Sequence, residues 1–284
     1  MKTIVITGAT SGIGLETARL LSLQGYRVIG IGRCEENCIC ARENILSSAP
    51  HAPISFYHAD LMQRREVMRL GELLISDLRD TNNGQLFALI NNAGCARSWY
   101  TTTEDGYEQQ FALNFLAGFL LTYALFPMLL KAGGRIIMTS SQSHRGIKVH
   151  WDDVMFSRRY APLRAYKQSK LCDILFAQAL NDRYARNGIR AYAVDPGLVN
   201  TDIGNKTGGI VDLIWKFRKR HGVQPTVPAQ TYAYLCQQEK HPKGLYYYLC
   251  SERAYSREVT GNNAARLFAL SEQLCGIKYE EAMV

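Results

Sequence analysis

Short runs of apolar and often β-branched residues recur along the chain, and each ends in a polar or glycine-rich cluster. The first is Thr3-Ile4-Val5-Ile6-Thr7, an unbroken run of the kind that fits a parallel strand buried on both faces. Arg27-Val28-Ile29-Gly30-Ile31-Gly32 and Ile54-Ser55-Phe56-Tyr57-His58 follow, then residues 86–90, 135–139 and 189–194. Between them, residues 15–24, 64–78, 107–130 and 162–186 carry apolar positions at helical spacing. Strands alternating with helices predict an α/β protein, a Rossmann-type doubly wound parallel sheet with helices on both faces. In such sheets ligands bind beyond the carboxyl ends of the strands. The polar clusters fall at those ends: Asp60-Leu61, Asn91-Asn92-Ala93-Gly94, Ser140-Ser141 and Asp195-Pro196-Gly197. No repeat, low-complexity tract or linker interrupts the alternation, so residues 1–284 are expected to form a single nucleotide-binding Rossmann domain.

Composition narrows the function classes. With 47% hydrophobic and 20% charged residues, the chain is ordinary for a soluble globular protein. The net charge of +8 is spread out, without the basic stripe and interleaved aromatics of a nucleic-acid binder. A mildly basic protein suits a phosphorylated cofactor or contact with an anionic membrane surface. No run of about 18 apolar residues is present, so no membrane-spanning segment is expected. The chain opens Met1-Lys2-Thr3-Ile4 without a signal-peptide pattern. A cytoplasmic placement is expected, with the eight scattered cysteines as free thiols. Cys34, Cys38 and Cys40 cluster, but no second pair or histidine couple completes a zinc set, so no metal is expected.

Candidate chemistry begins directly after the first strand. Gly8-Ala9-Thr10-Ser11-Gly12-Ile13-Gly14 leads into a helical pattern. Strand, glycine-rich turn and helix in that order form a nucleotide-binding start, because glycines let the backbone approach a pyrophosphate and the helix N-terminus offers free N–H groups. The spacing is GxxxGxG rather than GxGxxG, and a plain loop is the alternative. At the end of the second strand stands Arg33. An acidic residue there would bond the 2′-hydroxyl of NAD, whereas an arginine accommodates the 2′-phosphate of NADP; a surface arginine is the alternative.

Tyr166 and Lys170 stand four apart in the pattern of residues 162–186, hence on one helix face. A nearby ammonium favours phenolate and should lower the tyrosine pKa from ~10. Such a tyrosine can exchange a proton with a substrate hydroxyl or carbonyl. A solvated helix face is the bland reading of the pair taken alone.

Taken in order, Thr7-Gly8-x3-Gly12-x-Gly14, Asp60-Leu61, Asn91-Asn92-Ala93-Gly94, Asn114, Ser140-Ser141, Tyr166-x3-Lys170 and Pro196-Gly197 resemble the short-chain dehydrogenases/reductases, over nearly the whole chain. The resemblance implies an NADP(H)-dependent oxidoreductase acting on a small-molecule carbonyl or alcohol. It implies Asn114, Ser141, Tyr166 and Lys170 as the catalytic set. Asn114 would hold a water in a proton relay, and Ser141, the second serine of its pair, would bond the substrate oxygen. It also implies that Asp60 and Leu61 contact the adenine, and that Asn91, Ala93 and Gly94 lie by the adenosine ribose and sheet centre. Pro196, Gly197, Val199 and Thr201 would lie on the nicotinamide side. Ser11 is a departure, since many NADP-preferring relatives carry a basic residue in that slot. A catalytically weak NADPH-binding scaffold acting through a partner is the competing class. The complete catalytic set speaks against it, because a scaffold has no physical need of one.

The stretch from Ser141 to Tyr166 is longer than in many members. Together with Ala165-Tyr166-Lys167-Gln168-Ser169-Lys170-Leu171-Cys172-Asp173, Pro228-Ala229-Gln230-Thr231 and the tail around Leu267-Phe268, it resembles the retinol-dehydrogenase and WW-domain-oxidoreductase branch. That implies a retinoid-, steroid- or aromatic-like substrate, with residues 142–165 as an insertion and 198–227 as a substrate-covering segment. Cys172 reads as a buried structural cysteine, with a pocket thiol as the alternative. Ile210, Leu213, Ile214 and Phe217 share one face of a helix. Residues 208–222 are expected to form a lid, with a core helix and a membrane-surface helix as alternatives. Peripheral membrane contact and a dimeric or tetrameric assembly stay open.

Overall fold

Side chains alternate across each strand, so a sheet with both faces covered must present apolar residues at every position. The computed structural model of the protein describes residues 1–200 and 222–283. Its strands are β1 (Thr3–Thr7), β2 (Arg27–Gly32), β3 (Ile54–His58), β4 (Ala88–Asn91), β5 (Arg135–Thr139), β6 (Arg190–Val194), β7 (Tyr246–Tyr248) and β8 (Ser251–Glu252). They form one sheet in the order β3-β2-β1-β4-β5-β6-β7-β8, parallel throughout except for β8. On one face lie Val5, Ile29, Leu89, Ile136 and Ala191. On the other lie Ile4, Val28, Ala88, Ile137 and Tyr192. The strand order reverses between β1 and β4, the switch point at which doubly wound sheets bind ligands.

The helices are α1 (Gly12–Leu23), α2 (Glu35–Ser48), α3 (Arg64–Asn82), α4 (Gln109–Ala124), α5 (Phe126–Ala132), α6 (Pro162–Tyr184), α7 (Thr226–Gln237) and α8 (Gly261–Cys275). The pattern over 107–130 predicts one helix, but the structure has two, bent by 65°. Pro127, in the first turn of α5, explains the break: it lacks the N–H that would continue the ladder. Within α4, Ala112–Leu116 form a π turn, a feature often found at functional sites. Among the described residues no single helix is long and apolar enough to cross a membrane. The bent pair reaches that length and apolarity only jointly, and its large side chains are packed in the core.

The β7–β8 connection was not visible in the residue pattern. Its two central residues, Leu249 and Cys250, sit at φ 49° and 59°. A two-residue hairpin of this kind needs positive φ at both positions and is normally written Asn-Gly or Asp-Gly. Thr231 on α7 accepts the Cys250 N–H at 3.1 Å, which helps hold the turn.

An aromatic cluster fastens α6 to α4, α8 and the C-terminal tail. Phe119 of α4 meets Phe176 of α6 at 5.1 Å between ring centroids, Phe268 of α8 at 5.4 Å and Tyr279 of the tail at 5.1 Å. The Tyr279 hydroxyl donates to the Phe119 carbonyl at 2.6 Å. Phe119 is wholly buried. Phe119→Ala is therefore expected to lower the unfolding free energy by about 3–5 kcal/mol in urea titrations. A loss below about 1 kcal/mol would show that the cluster does not fasten α6.

Candidate active site

At the C-terminal edge of β1 the chain turns through Gly8, at φ +66°, and enters α1 at Gly12. A Cβ on Gly14 would lie 2.1 Å from the Gly8 carbonyl oxygen, so only glycine permits this close approach. Ser11 caps α1 with extended backbone, makes no side-chain cap bond, and no acidic residue follows in the first turn. The first N–H groups and the positive end of the dipole thus remain for an anionic ligand. Thr10 sits beside this turn against Gly32, and Ile13 faces the cleft.

The loop after β4 is stitched to the loop after β1. Thr7 Oγ1 accepts the main-chain N–H groups of Asn92 at 2.9 Å and Ala93 at 3.0 Å. Asn92 Nδ2 returns a bond to the Thr7 carbonyl at 3.0 Å. Asn91 is buried, with Nδ2 bonded to Thr122 Oγ1 at 3.2 Å. Its side chain is thereby spent inside the fold, so contact with a ribose would fall to its main chain. Asp60 turns its carboxylate onto the Met62 N–H at 3.1 Å, and Leu61 is buried beside Asn91, Ala93 and Asn114 around a small cavity. Arg33, at the end of β2, is exposed and has no hydrogen-bond partner among the described residues. The same C-terminal edge of the sheet carries Gly197, whose N–H donates to Asp195 Oδ1 at 2.9 Å.

Four groups converge beside the switch point. Gly94, Asn114 and Lys170 pack so closely that a Cβ on Gly94 would lie 3.2 Å from Asn114 Oδ1 and 3.9 Å from Lys170 Nζ. Asn114 accepts the Cys95 N–H at 2.7 Å and donates to the Cys95 carbonyl and to Ser169 Oγ, each at 3.0 Å. Its side chain clamps the β4 loop to α6, so the water-holding role expected of it would fall to its main chain, within the π turn. Ser140 is buried and donates to the Lys170 carbonyl at 2.7 Å, a bond within the framework. Ser141 opens the next turn and accepts the Ser143 N–H at 3.2 Å. Its own O–H has no acceptor among the described residues, which leaves it to donate. His144 fixes this turn: Nδ1 bonds the Ser141 carbonyl at 2.7 Å, and Nε2 accepts the Ser256 N–H at 3.1 Å. That pairing defines the neutral, Nδ1-protonated tautomer, and burial pushes the imidazole pKa below its usual range.

Ser141 and Tyr166 line one cleft of about 1120 Å³ with Ile13, Pro196, Gly197 and Val199. Lys170 Nζ lies 5.9 Å from the Tyr166 ring centroid, beside that cleft. It donates to the Thr139 carbonyl at 2.7 Å and to Asp173 Oδ2 at 3.1 Å. The expected lowering of the phenol pKa is not the net result here. Burial pushes Tyr166 up, Lys170 pulls it down, and Asp173 and Asp195 push it up again, so it stands above its usual range. Burial also works against the Lys170 charge, but the Asp173 carboxylate and the Tyr166 phenolate outweigh it, and the ammonium stays protonated.

The residue pattern did not single out Thr7, Asn92, Thr139, His144 or Asp173 as site groups. Asp173 has a sequence signal, an acidic residue three positions after Lys170, which on a helix places the two side by side. Cys172 is wholly buried in the core, and burial pushes its thiol well above the usual range, so it is a packing residue and not a pocket thiol. Among the described residues no group of three or more His, Cys, Asp or Glu comes together. Thr201 and the predicted helix 210–217 lie outside the described residues, as does all of the expected lid 208–222 except Gly222.

Comparison with known proteins places the chain's family and fold. The family model described as short chain dehydrogenase matches residues 2–209. Retinol dehydrogenase 13 of Homo sapiens is 32% identical over 98% of this chain and 85% of its own length. Retinol dehydrogenase 12 of Mus musculus is 32% identical over 98% and 88%. Among solved structures, an uncharacterised protein of Mycobacterium paratuberculosis superposes with a TM-score of 0.74 at 27% identity, over 98% of this chain and 95% of that one. A short-chain dehydrogenase from Sphingobium yanoikuyae in complex with NADPH shares the fold with a TM-score of 0.66 at 22% identity, over 97% and 94%.

The two serines should separate cleanly on mutation. Ser140→Ala removes a buried donor to the Lys170 carbonyl and is expected to lower stability by about 1 kcal/mol. Ser141→Ala removes the acceptor of the Ser143 N–H and should cost a similar ~1 kcal/mol, but it should also cut turnover by ~10²-fold or more, as removal of one oxyanion donor does. Equal turnover losses in both variants would show that Ser141 has no separate role.

Proposed function

The chain belongs to the short-chain dehydrogenase family, and on that premise we propose that it moves a hydride between NADP(H) and the carbonyl or alcohol carbon of a small apolar molecule. The observation that carries this reading is the convergence of Ser141 and Tyr166 on one cleft, with Lys170 behind the tyrosine. The loop between β1 and α1 fits a dinucleotide: Gly14 lets the start of α1 close onto the Gly8 carbonyl in a tight turn, and the N-terminus of α1 is uncapped by side chains. When bound, the nicotinamide supplies or accepts the hydride.

The chain's own residues do the rest. Negative charge gathers on the substrate oxygen as the carbonyl is reduced. The Ser141 O–H, already oriented by the Ser143 N–H at its oxygen, donates to that charge. Tyr166 donates as well and gives up its proton; in the reverse direction its phenolate takes the alcohol proton. Lys170, held by Thr139, presents its remaining N–H toward the cofactor side. Residues 142–165 pack over the start of α6, where Gln168 accepts the His150 N–H and donates to the Val154 carbonyl. In this reading they form an insertion beside the site, and 198–227 cover the substrate.

An apolar substrate of retinoid, steroid or aromatic type is supported by Leu163, Leu198 and Val199 in the cleft and by the names of the relatives. Polyprenol dehydrogenase of Homo sapiens, 33% identical over 70% of this chain and 61% of its own length, is also named for a lipid alcohol. A preference for NADP(H) is supported by Arg33, which stands exposed and unpaired where the 2′-phosphate would lie, ready for a charge-assisted bond. Eight free thiols suit a reducing cytoplasm.

Loss of NADPH fluorescence across a panel of retinal, steroid ketones and aromatic ketones tests the activity; no consumption with any of them overturns the substrate class. Tyr166→Phe should retain NADPH binding and lose nearly all turnover, whereas turnover within about threefold of wild type would remove Tyr166 as the acid. Arg33→Asp should shift preference toward NADH by tenfold or more, and equal affinity of the wild type for both cofactors would refute the role of Arg33.

A further inference from the structure

Asp173 is a carboxyl group that the mechanism above does not use. It lies one helical turn beyond Lys170 on α6, is wholly buried, and holds Lys170 Nζ at 3.1 Å with Oδ2. Its other oxygen, Oδ1, is buried and has no hydrogen-bond partner among the described residues. A structural carboxylate is normally bonded through both oxygens, because an unbonded buried oxygen is costly. This one is bonded only to the ammonium beside the phenol. Resting on the oxidoreductase reading, we propose that Asp173 is a positioning residue for Lys170, whose carboxylate holds the ammonium against the Thr139 carbonyl and offsets the positive charge that Tyr166 would otherwise feel.

The geometry sets the direction of the effect. The ammonium is 5.9 Å from the phenol ring and 3.1 Å from the carboxylate. Seen from Tyr166, a cation so closely paired acts as a dipole, and its field falls off faster than that of a lone charge. Ionised Asp173 thus weakens the pull of Lys170 toward phenolate, and protonated Asp173 restores it. Other groups share this environment. Cys172 and Tyr166 flank it on α6, and Tyr232 of α7 senses its charge and bonds Thr139 Oγ1 at 2.9 Å. Asp195, at the end of β6, acts on Tyr166 and Tyr232, and Cys95, after β4, acts on Lys170 and Tyr166. Lys170 is the cation of this group. Burial pushes the Asp173 carboxyl up to about 7, with Lys170 opposing. The two groups then titrate as a coupled pair.

Asp173→Asn removes the negative charge and keeps the shape, so phenolate becomes easier to form. The Tyr166 titration, followed by tyrosinate absorbance in the free protein, isolates one of 16 tyrosines when each protein is compared with its own Tyr166→Phe counterpart. We expect the Tyr166 midpoint to fall by one pH unit or more, a tenfold rise in its acid constant. The rising limb of the pH profile for alcohol oxidation should move down by the same amount, through kcat, with the KM for NADP⁺ changed less than about threefold. A merely structural aspartate would lower thermal stability and kcat without moving either midpoint.

A Tyr166 midpoint within 0.3 units of wild type overturns the proposal, and so does an unshifted kcat profile in a variant whose midpoint has moved. Should no substrate of the panel be turned over, the oxidoreductase reading fails, while the free-protein titration still decides whether Asp173 governs Tyr166. If Asp173→Asn does not fold, carbon-13 spectra of wild-type protein labelled at aspartate carboxyls replace it. One aspartate carboxyl signal that moves as Tyr166 ionises, and stays still in Tyr166→Phe, is expected; no aspartate signal responding to the ionisation of Tyr166 would overturn the proposal.

Discussion

Burial of one ammonium group organises this site. Lys170 is only 4% exposed, and a buried charge is tolerated only when it is paired and hydrogen-bonded. Thr139, at the end of β5, supplies a carbonyl, and Asp173 supplies a carboxylate. Each partner requires an accurate placement of α6 against the sheet. Ser140 bonding the Lys170 carbonyl, Asn114 bonding Ser169, and the aromatic cluster around Phe119 and Phe176 provide it. The same contacts set the position of Tyr166, one turn earlier on the helix. Helix α6 is therefore located by the needs of its lysine as much as by its apolar face.

The sheet supplies the second condition. Because β1 to β7 run parallel, their following loops emerge at one edge, and the reversal between β1 and β4 leaves a crevice there. Thr7 and Asn92 bind the two loops flanking that crevice to each other. The phosphate-facing turn and the loop over Lys170 are thus one unit. A displacement of Gly8 would reach Asn92 and Ala93, and the next residue, Gly94, packs against Asn114 and Lys170. The glycine turn and the surroundings of Lys170 share a framework rather than sitting side by side.

The six apolar strands, their order of alternation with helices, the glycine turn and the Tyr166–Lys170 spacing were legible because each follows from a period or a local backbone requirement. What was missed depends on tertiary context. The β7–β8 hairpin uses Leu249 and Cys250 where turn chemistry calls for Asn-Gly, so no local signal marked it. Helices α7 and α8 pack their apolar faces against the sheet and its neighbouring helices, but their patterns are weak beside the long runs of α4 and α6. Pro127 did carry a signal, and the break at α5 follows from it. Asn91 and Asn114 were placed by motif, and motif does not say which way an amide points. The structure turns Asn91 into the core and spends the Asn114 amide on a clamp between the β4 loop and α6.

The largest difference concerns the sign of an electrostatic effect. A tyrosine and a lysine four apart read as one cation acting on one phenol. A lone ammonium so close would favour phenolate and pull the pKa down. The structure instead leaves Tyr166 above its usual range, because burial of the phenol and the carboxylates of Asp173 and Asp195 together exceed the pull of Lys170. The spacing of two residues fixes that they interact, but the charges brought in by the fold fix in which direction. The titration of Tyr166 is thus set by a balance with Lys170, Asp173, Asp195 and Cys95, and two of these partners, Lys170 and Asp173, lie within two turns of it on the same helix.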